Sequence, residues 1–226
     1  MSYELKHITL LAVLLLSLAI YVILKTPSET SGKAENQQNS VVEFTLNDCL
    51  KVYPVNPFSM ISKNQNPYWP AFGLDLPELE PNHTQQQEIE VYAKILEYIN
   101  KTFEYQKDTE NTWKTPTQLL RDGGGDCEDF TLAFICYSLE AGIESNKFRI
   151  NFALVDCSGT EGYHYYPEVR IQHNGEEVWL PIEVTKNKDK NNLKTTDPTY
   201  YLNNTYPSIK DLCWMNESMI GTYPLK

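Results

Sequence analysis

The chain has 226 residues, a formal net charge of −11 and a pI near 4.8. Arginine is scarce and occurs at Arg121, Arg149 and Arg170. Because phosphate recognition favours basic, arginine-rich surfaces, these features argue against a nucleic acid as partner, and the chain is long enough to bury a hydrophobic core without disulfides.

The first 25 residues predict a membrane anchor. Ile8 to Leu24 are 17 consecutive uncharged, mostly apolar residues between Lys6 and Lys25, which is at the short limit for a membrane-spanning helix. A cleaved signal peptide is the alternative. We favour an uncleaved anchor because residues 28–40 contain no clear small-x-small cleavage motif.

The rest of the chain divides into a linker and one domain. Residues 26–40 are polar and predict a flexible linker, and residues 41–226 fit a single domain. Residues 41–82 combine prolines and aromatics without clear periodicity. We therefore expect this segment to be an extended arm packed on the domain.

Two helices are predicted ahead of a glycine-rich segment. Thr84 opens a capping-box pattern, and apolar residues then recur at spacings of three and four, so we expect an amphipathic helix over about residues 85–104. Thr115 has the character of an N-cap and Pro116 that of a first helical residue. A short helix from there to Arg121 leads the chain into the glycines.

A sharp turn followed by a helix start surrounds Cys127. Gly123 to Gly125 permit close backbone approach, Asp126 can act as an N-cap, and Asp129 can complete a capping box. The apolar helix that follows is expected to end near Gly142, a predicted C′ residue. At the first helical position, free N–H groups and the helix dipole favour a thiolate and can hold an oxyanion. A buried packing thiol is the alternative interpretation of Cys127.

The pattern after this helix changes to strands. Apolar residues alternate from Phe148 to Leu154, and Asn174-Gly175 is a strong hairpin signal between strands near residues 163–171 and 178–185. The sequence therefore predicts an α+β domain with helices packed on an antiparallel sheet. Several C-terminal aromatic residues are expected to pack back on this sheet: Tyr200, Tyr201, Tyr206 and Trp214.

The hairpin register places a histidine near a carboxylate. With a two-residue loop, His164 lies opposite Thr185, and Glu183 lies on the same face, diagonal to His164 at about 7–8 Å between Cα atoms. Glu168 shares that face and is the rival partner. A proline in each strand could break the ladder and shift this register.

A helix-start thiol, a strand histidine and a carboxylate on the next strand make a Cys-His-acid arrangement. Cys127 would attack a carbonyl, His164 would take the thiol proton and return it to the leaving amine, and Glu183 would hold the histidine tautomer. The Cys127 backbone N–H would supply one oxyanion donor. Trp113 and Gln118 are candidates for the second donor.

Several motifs resemble those of the transglutaminase-like cysteine-protease superfamily: Trp113-x-x-Pro116, Gly123 to Asp129, and the later His164 and Glu183 pair. The resemblance covers about residues 110–186. The spacing of 37 residues from Cys127 to His164 is similar to that of bacterial periplasmic transglutaminase-like proteases that release surface adhesins. Glu183 and the two residues after it stand where the family usually has Asp-Pro-Thr.

The resemblance implies a transglutaminase-like, papain-like fold and thiol-dependent cleavage or transfer at amide bonds through an acyl-enzyme. It favours hydrolysis over crosslinking, with a protein or peptide at the cell surface as substrate. The competing class is a catalytically inactive binding module of the cell envelope on the same scaffold. The combined presence of Cys127, His164 and Glu183 argues against that class.

The resemblance also implies a calcium site at Asp126 and Glu128, which flank the candidate nucleophile. Carboxylates and loop carbonyls are suitable calcium ligands. The alternative is that Asp126 caps the helix and Glu128 complements the helix dipole. The thiol chemistry itself requires no cofactor.

Two weaker patterns favour a compartment outside the cytoplasm. Potential glycosylation motifs, which could also occur by chance in an asparagine-rich chain, begin at Asn82, Asn100, Asn203 and Asn216. With Cys127 as the working thiol, four cysteines remain for two disulfides in one of three pairings: Cys49, Cys136, Cys157 and Cys213. Four buried free thiols are the alternative.

Overall fold

The computed structural model of the protein describes most of the region after residue 44: residues 45–53, 56–61, 74–108, 112–156, 160–185 and 209–223. Every described residue belongs to one compact unit, Glu43–Lys226. The predicted anchor and linker lie outside the described residues. Within the described ranges, no helix has both the length and the apolar character needed to cross a membrane.

The described residues include four α-helices and two short 3₁₀ segments. The helices are α1 (Leu46–Val52), α2 (Gln85–Thr102), α3 (Pro116–Asp122) and α4 (Cys127–Glu140), and the 3₁₀ segments are Pro57–Ile61 and Ser145–Lys147.

The strands form one main sheet and one small pair. They are β1 (Glu104–Tyr105), β2 (Gly124–Gly125), β3 (Phe148–Asp156), β4 (Glu161–His173), β5 (Glu176–Pro181), β6 (Ile209–Met215) and β7 (Ile220–Thr222). The five-stranded antiparallel sheet has the order β5-β4-β3-β6-β7, while β1 and β2 form a parallel pair. The predicted combination of helices with an antiparallel sheet is confirmed.

Two predicted helices begin where their caps lie in the sequence. Thr84 caps α2 and Thr115 caps α3, each in a reciprocal capping box with the glutamine three residues later. Pro116 occupies the first turn of α3, as predicted, because its missing N–H needs no partner there. The predicted ends of both helices agree with the structure to within two residues.

The N-terminal arm is partly helical, so the prediction of an extended arm was wrong for α1. Thr45 caps this helix, and the Asp48 carboxylate accepts the Thr45 N–H at 3.1 Å. The Thr-x-x-Asp spacing was the available signal. One turn inward, Cys49 is fully buried against the sheet.

The β4–β5 hairpin has the predicted register. His173 pairs with Glu176 and Glu168 pairs with Pro181, and both turn residues have the positive φ angles that a tight hairpin turn requires. The regular ladder ends at Pro181, short of the expected His164–Thr185 pair. A proline has no N–H to donate, so the pairing ends close to where the sequence indicated.

Helix α4 fixes the position of Cys127. It is buried along most of its length because it packs against α2 on one side and β4 on another. Aromatic rings join these layers: Tyr92 of α2 lies 5.5 Å from Phe134 of α4 and 6.1 Å from Phe148 of β3, between ring centroids. Helix α4 is therefore packed against both α2 and the sheet, and Cys127 is its first residue.

The C-terminal strand β6 pairs with the central strand β3 and includes Trp214. This confirms that part of the C-terminal aromatic segment packs back on the sheet. The tyrosines at positions 200, 201 and 206 lie outside the described residues.

Candidate active site

Each glycine before Cys127 is required either by its backbone conformation or by close packing. Gly123 has φ of 72°, in the left-handed region, and ends α3. A Cβ atom on Gly124 would clash with the Glu104 carbonyl oxygen of β1, and one on Gly125 would clash with the Asp129 side chain. These contacts bring α3, β1 and the start of α4 together.

Asp129 ties the preceding loop to the helix start. Its Oδ1 accepts the Lys114 backbone N–H at 2.7 Å, and its Oδ2 accepts the Asp126 N–H at 3.3 Å. Burial raises the pKa of Asp129 to about 7, although these two N–H donors oppose that shift. Asp129 therefore has the role expected of an acidic residue in the first turn of a helix, where it accepts backbone N–H groups.

Cys127 is the first residue of α4 and is 7 % exposed. Its thiol donates to Glu128 Oε2 at 3.3 Å. Burial, followed by the charge of Glu128, raises the pKa of the Cys127 thiol well above its ordinary value, and the Tyr165 backbone N–H, which hydrogen-bonds the sulfur, partly offsets this. The sequence predicted a thiolate-favouring helix start but missed this opposing effect of burial and flanking acids.

Cys127 meets β4 directly beside His164. The pairing of β5 with β4 covers Glu168 to His173, so the earlier part of β4 extends beyond the end of β5. There the Tyr165 N–H reaches the Cys127 sulfur. The two candidate residues are thus on adjacent elements, with the contact made at the residue that follows His164.

His164 and Glu183 form a buried pair. His164 Nε2 lies 3.0 Å from Glu183 Oε2, and the two residues are 5 % and 1 % exposed. The other Glu183 oxygen accepts the Thr185 N–H at 2.6 Å and also bonds the Thr185 hydroxyl. Burial alone would raise the pKa of Glu183, but His164 and these donors hold the pKa at about 2. An ionised Glu183 fixes His164 with the proton on Nε2.

Glu168, the rival carboxylate, has a different partner. Its Oε2 pairs with the Arg149 Nε and accepts the Tyr223 hydroxyl at 3.1 Å. The Arg149 guanidinium also lies 4.5 Å from the centre of the Trp179 ring. Glu168 is therefore engaged in a separate cation–aromatic cluster, and Glu183 is the carboxylate that contacts His164.

A cavity of about 410 Å³ opens beside the sulfur. Four of its ten lining residues are aromatic and three are acidic. Its lining residues are Val52, Tyr105, Lys107, Asp108, Asp126, Cys127, Glu128, Phe152, Tyr163 and Tyr165. Two of the tyrosines, Tyr105 and Tyr163, are more than half exposed.

The two candidates for a second oxyanion donor differ. Gln118 is exposed, and its Oε1 accepts the Thr115 N–H at 2.8 Å as part of the α3 capping box. The Trp113 Nε1 is buried and has no hydrogen-bond partner among the described residues. The Trp113 ring packs at 5.1 Å from the Tyr165 ring, close to the Cys127 contact. Trp113 is therefore the better placed of the two.

Asp108, Asp126 and Glu128 form an acidic cluster beside Cys127. One oxygen from each lies within 4.8 Å of the others. Within the described part of the chain, Asp126 Oδ1 and Glu128 Oε1 are buried without a hydrogen-bond partner. Burial and the neighbouring Asp126 raise the pKa of Glu128 to about 8. The unsatisfied oxygens fit a hard divalent cation such as calcium.

Asp126 occupies the predicted N-cap position of α4, and Asp129 accepts its N–H at 3.3 Å as the predicted capping-box partner. The Asp126 Oδ2 also accepts the Asp108 N–H at 3.3 Å, which links the helix start to the segment after β1. Sequence reasoning missed Asp108 because it lies 18 residues before Asp126 and belongs to no recognised motif.

The described cysteines are free thiols: Cys49, Cys127, Cys136 and Cys213. The predicted disulfides are therefore not formed among them in this structure. Cys157 lies outside the described residues.

Comparison with known proteins gives one family match. The family model of the transglutaminase-like superfamily matches residues 79–184, which include Cys127, His164 and Glu183. No curated protein matches this chain.

Solved structures of Legionella pneumophila LapG are similar to this chain. One is 17 % identical, with a TM-score of 0.46, and covers 74 % of this chain and 88 % of its own. Calcium-bound LapG is 16 % identical, with a TM-score of 0.45 and the same coverages of 74 % and 88 %. EGTA-treated LapG is 16 % identical, with a TM-score of 0.47, and covers 76 % of this chain and 87 % of its own.

The family match extends from just before α2 to just after β5, and it contains the glycine turn, α4 and the β4–β5 hairpin. Residues 79–184 of this chain are a domain of the transglutaminase-like superfamily.

Proposed function

We propose that this chain is a thiol hydrolase that cleaves amide bonds of proteins or peptides through an acyl-enzyme on Cys127. The observation that carries this proposal is the buried His164–Glu183 hydrogen bond of 3.0 Å, on the strand that touches the Cys127 sulfur. The adjoining cavity has room for a polypeptide segment.

Each residue has a distinct chemical role in this mechanism. Glu183 holds the His164 proton on Nε2, so Nδ1 is the ring nitrogen that receives the thiol proton. The Cys127 sulfur attacks the substrate carbonyl carbon, and the imidazolium returns its proton to the leaving amine. Water then hydrolyses the thioester and regenerates the thiol.

The developing oxyanion requires donors at the helix start. The Cys127 backbone N–H, at the first position of α4, is one of them. We assign Trp113 Nε1 as the second donor because it is buried and has no partner among the described residues. Loss of one oxyanion donor typically lowers turnover by about 10²–10³-fold.

We propose that Asp126 and Glu128 bind calcium, with Asp108 as the third carboxylate. The buried, unsatisfied oxygens of Asp126 and Glu128 support this assignment. A bound cation would supply positive charge that offsets the carboxylates around the thiol. In the chemical steps, the protein side chains remain the groups that move protons.

We propose that residues 1–25 anchor the protein in a membrane, with the catalytic domain outside the cytoplasm and a cell-surface protein or peptide as substrate. The apolar segment Ile8 to Leu24 supports this arrangement. Fractionation followed by protease treatment of intact cells tests it. The full chain should sediment with membranes and be digested from outside, whereas a soluble protein or one protected in intact cells would contradict it.

The proposed activity is tested with a peptide acyloxymethyl ketone, an electrophile that alkylates active thiols, together with cleavage of a peptide library followed by mass spectrometry. Cys127→Ala should abolish both signals while retaining the wild-type Tm. His164→Ala should slow labelling of Cys127, because the imidazole accepts the thiol proton. Cys136→Ala, which changes another buried cysteine of the same helix, is the matched control and should still be labelled.

The inactive binding module is the alternative, and the same assay separates the two functions. A binding module would react with the probe no faster than an ordinary buried thiol and would cleave no peptide. Equal labelling of the wild-type protein and His164→Ala would also contradict the proposed mechanism.

A further inference from the structure

Two cysteines that the proposed catalysis does not use lie against each other in the core. Cys49 is on the buried face of α1 and Cys213 is in β6, and both are 0 % exposed. Their thiols are close enough that each shifts the pKa of the other, and α1 packs on β6 and β7. A disulfide between them would set the two sulfur atoms about 2 Å apart.

Each of the two cysteines is close to a residue that lines the active-site cavity. Val52, three residues after Cys49, lines the cavity, and its carbonyl accepts the Tyr165 hydroxyl at 2.8 Å. Cys213 pairs in the sheet with Phe152, another lining residue. A bond between Cys49 and Cys213 would therefore connect two elements next to the cavity, α1 and the sheet.

Helix α1 has few features that would hold it in place by itself. It has seven residues, and isolated helices of this length are marginal in water. Leu46 and Leu50 are about half exposed. After the helix, the Tyr53 hydroxyl donates to the Ile150 carbonyl at 3.0 Å. A covalent link from the middle of α1 would add a constraint that these contacts do not supply.

We propose that Cys49 and Cys213 form a structural disulfide when the protein folds in an oxidising compartment, and that this bond fixes α1 as a wall of the cavity beside Cys127. The oxidant is another disulfide, of a thiol–disulfide oxidoreductase or of glutathione. One cysteine thiolate attacks it to give a mixed disulfide, and the second cysteine displaces the carrier. The carrier leaves as two thiols that hold both electrons and both protons. This inference does not depend on catalysis by Cys127.

The bond should form during folding, before α1 docks. In the docked structure burial raises the pKa of both thiols, and the thiolate is the form that reacts with disulfides. Fully buried thiols are also inaccessible to an oxidant. Refolding from the reduced, unfolded state is therefore the relevant experiment.

The test uses the full chain carrying Cys127→Ala, which removes the proposed working thiol. The reduced protein is unfolded and then refolded in a mixture of reduced and oxidised glutathione. Free thiols are alkylated and counted by intact mass, and proteolytic peptides are mapped with and without reductant. We expect two cysteines to resist alkylation until reduction and one crosslinked peptide pair to contain Cys49 and Cys213. Four alkylated cysteines, or a crosslink to Cys136 or Cys157, would overturn the proposal.

The structural effect of the bond is measured on the same protein. The oxidised form should have a Tm roughly 5–15 °C above the reduced form, with slower amide hydrogen exchange over residues 46–53. Cys49→Ala and Cys213→Ala should lose both differences, and Cys136→Ala should keep them. Equal Tm and exchange in the two forms would overturn the role assigned to α1. If either pair variant fails to fold, the crosslink map decides the pairing.

Discussion

Glu183 and Glu168 are both buried carboxylates on one hairpin, but their environments differ. His164 and the Thr185 donors surround Glu183, and its pKa is held at about 2. Glu168 pairs with Arg149, yet burial still raises its pKa. Glu183, the carboxylate of the two whose pKa is lowered, is thus the one that contacts His164.

The first prediction compares these two glutamates. Glu183→Gln should lower the labelling rate of Cys127 by about 100-fold or more, because the amide does not stabilise the imidazolium or hold the same tautomer. Glu168→Gln should leave the labelling rate of the folded protein within a few-fold of wild type. Its Tm should fall, because Arg149 loses a buried charged partner.

Labelling rates and melting curves on the same preparations check this comparison. A larger loss of labelling rate in folded Glu168→Gln than in Glu183→Gln would reverse the assigned roles.

The second prediction concerns acid stability. The pKa of Glu183 is about 2 in the folded protein against an ordinary value of 4.5. Between these values the unfolded chain binds more protons, so the stabilisation from Glu183 is present above about pH 4.5 and is lost as the pH falls towards 2.

The measurement is the Tm difference between wild type and Glu183→Gln from pH 6 down to pH 2.5, since the glutamine variant lacks this titration. The difference should shrink across the acid range. A difference that stays constant or grows would show that ionisation of Glu183 does not stabilise the fold.

The sequence was sufficient to predict the contact between His164 and Glu183, because the Asn174-Gly175 turn fixed the strand pairing. It could not place Asp108, whose position beside Asp126 depends on the path of the chain after β1. It also could not predict the raised pKa of Cys127, because that shift depends on burial by elements distant in the sequence.

At the scale of elements, the glycine turn shows how tightly α4 is joined to its neighbours. Gly124 packs on the backbone of β1, and Gly125 packs on the Asp129 side chain. These contacts determine where α4 begins and therefore where the Cys127 sulfur lies.

The third prediction tests this packing with two alanine substitutions. Gly125→Ala should lower the Tm, by roughly 2–4 °C per kcal/mol of destabilisation for a chain of this size, and should reduce Cys127 labelling as the helix start shifts. Gly162→Ala, at a position where a Cβ meets no atom within 4 Å, is the control and should change neither quantity. Equal effects of the two substitutions would contradict the packing argument.

Caps and turn residues predicted α2, α3 and the hairpin because these signals are local. Helix α1 was missed because its capping box is followed by only seven helical residues with two exposed leucines. The β1–β2 pair was missed for a different reason. Each of these strands has only two residues, which is too short to show an alternating pattern, and their pairing depends on contacts between distant segments.

At the scale of the whole molecule, the acidic cluster links cation binding to stability. Asp108 follows β1, whereas Asp126 and Glu128 flank the first residue of α4. A cation held by all three would join two segments that separate on unfolding, so it should stabilise the folded state by mass action.

The fourth prediction follows from this linkage. Calcium at about 100 times its Kd should raise the Tm of chelator-treated protein by roughly 5–10 °C. Asp108→Asn should reduce this increase. Asp122→Asn, which changes an exposed acid outside the cluster, should retain it. An unchanged Tm on adding calcium would mean that the acids act only through local charge and hydrogen bonding.

The alternation of side chains along β4 has a consequence for how this protein can change length during evolution. His164 and Tyr165 point to opposite faces of the strand, and both are buried. Insertion of a single residue between His164 and the hairpin turn would shift the alternation of side chains in β4 by one position. Either His164 or the core residues nearer the turn would then face the opposite side of the sheet. Two-residue insertions would preserve the alternation but displace His164 along the strand relative to Cys127. We therefore expect natural length variation among relatives to accumulate in the connections between strands and to be rare within β4 itself.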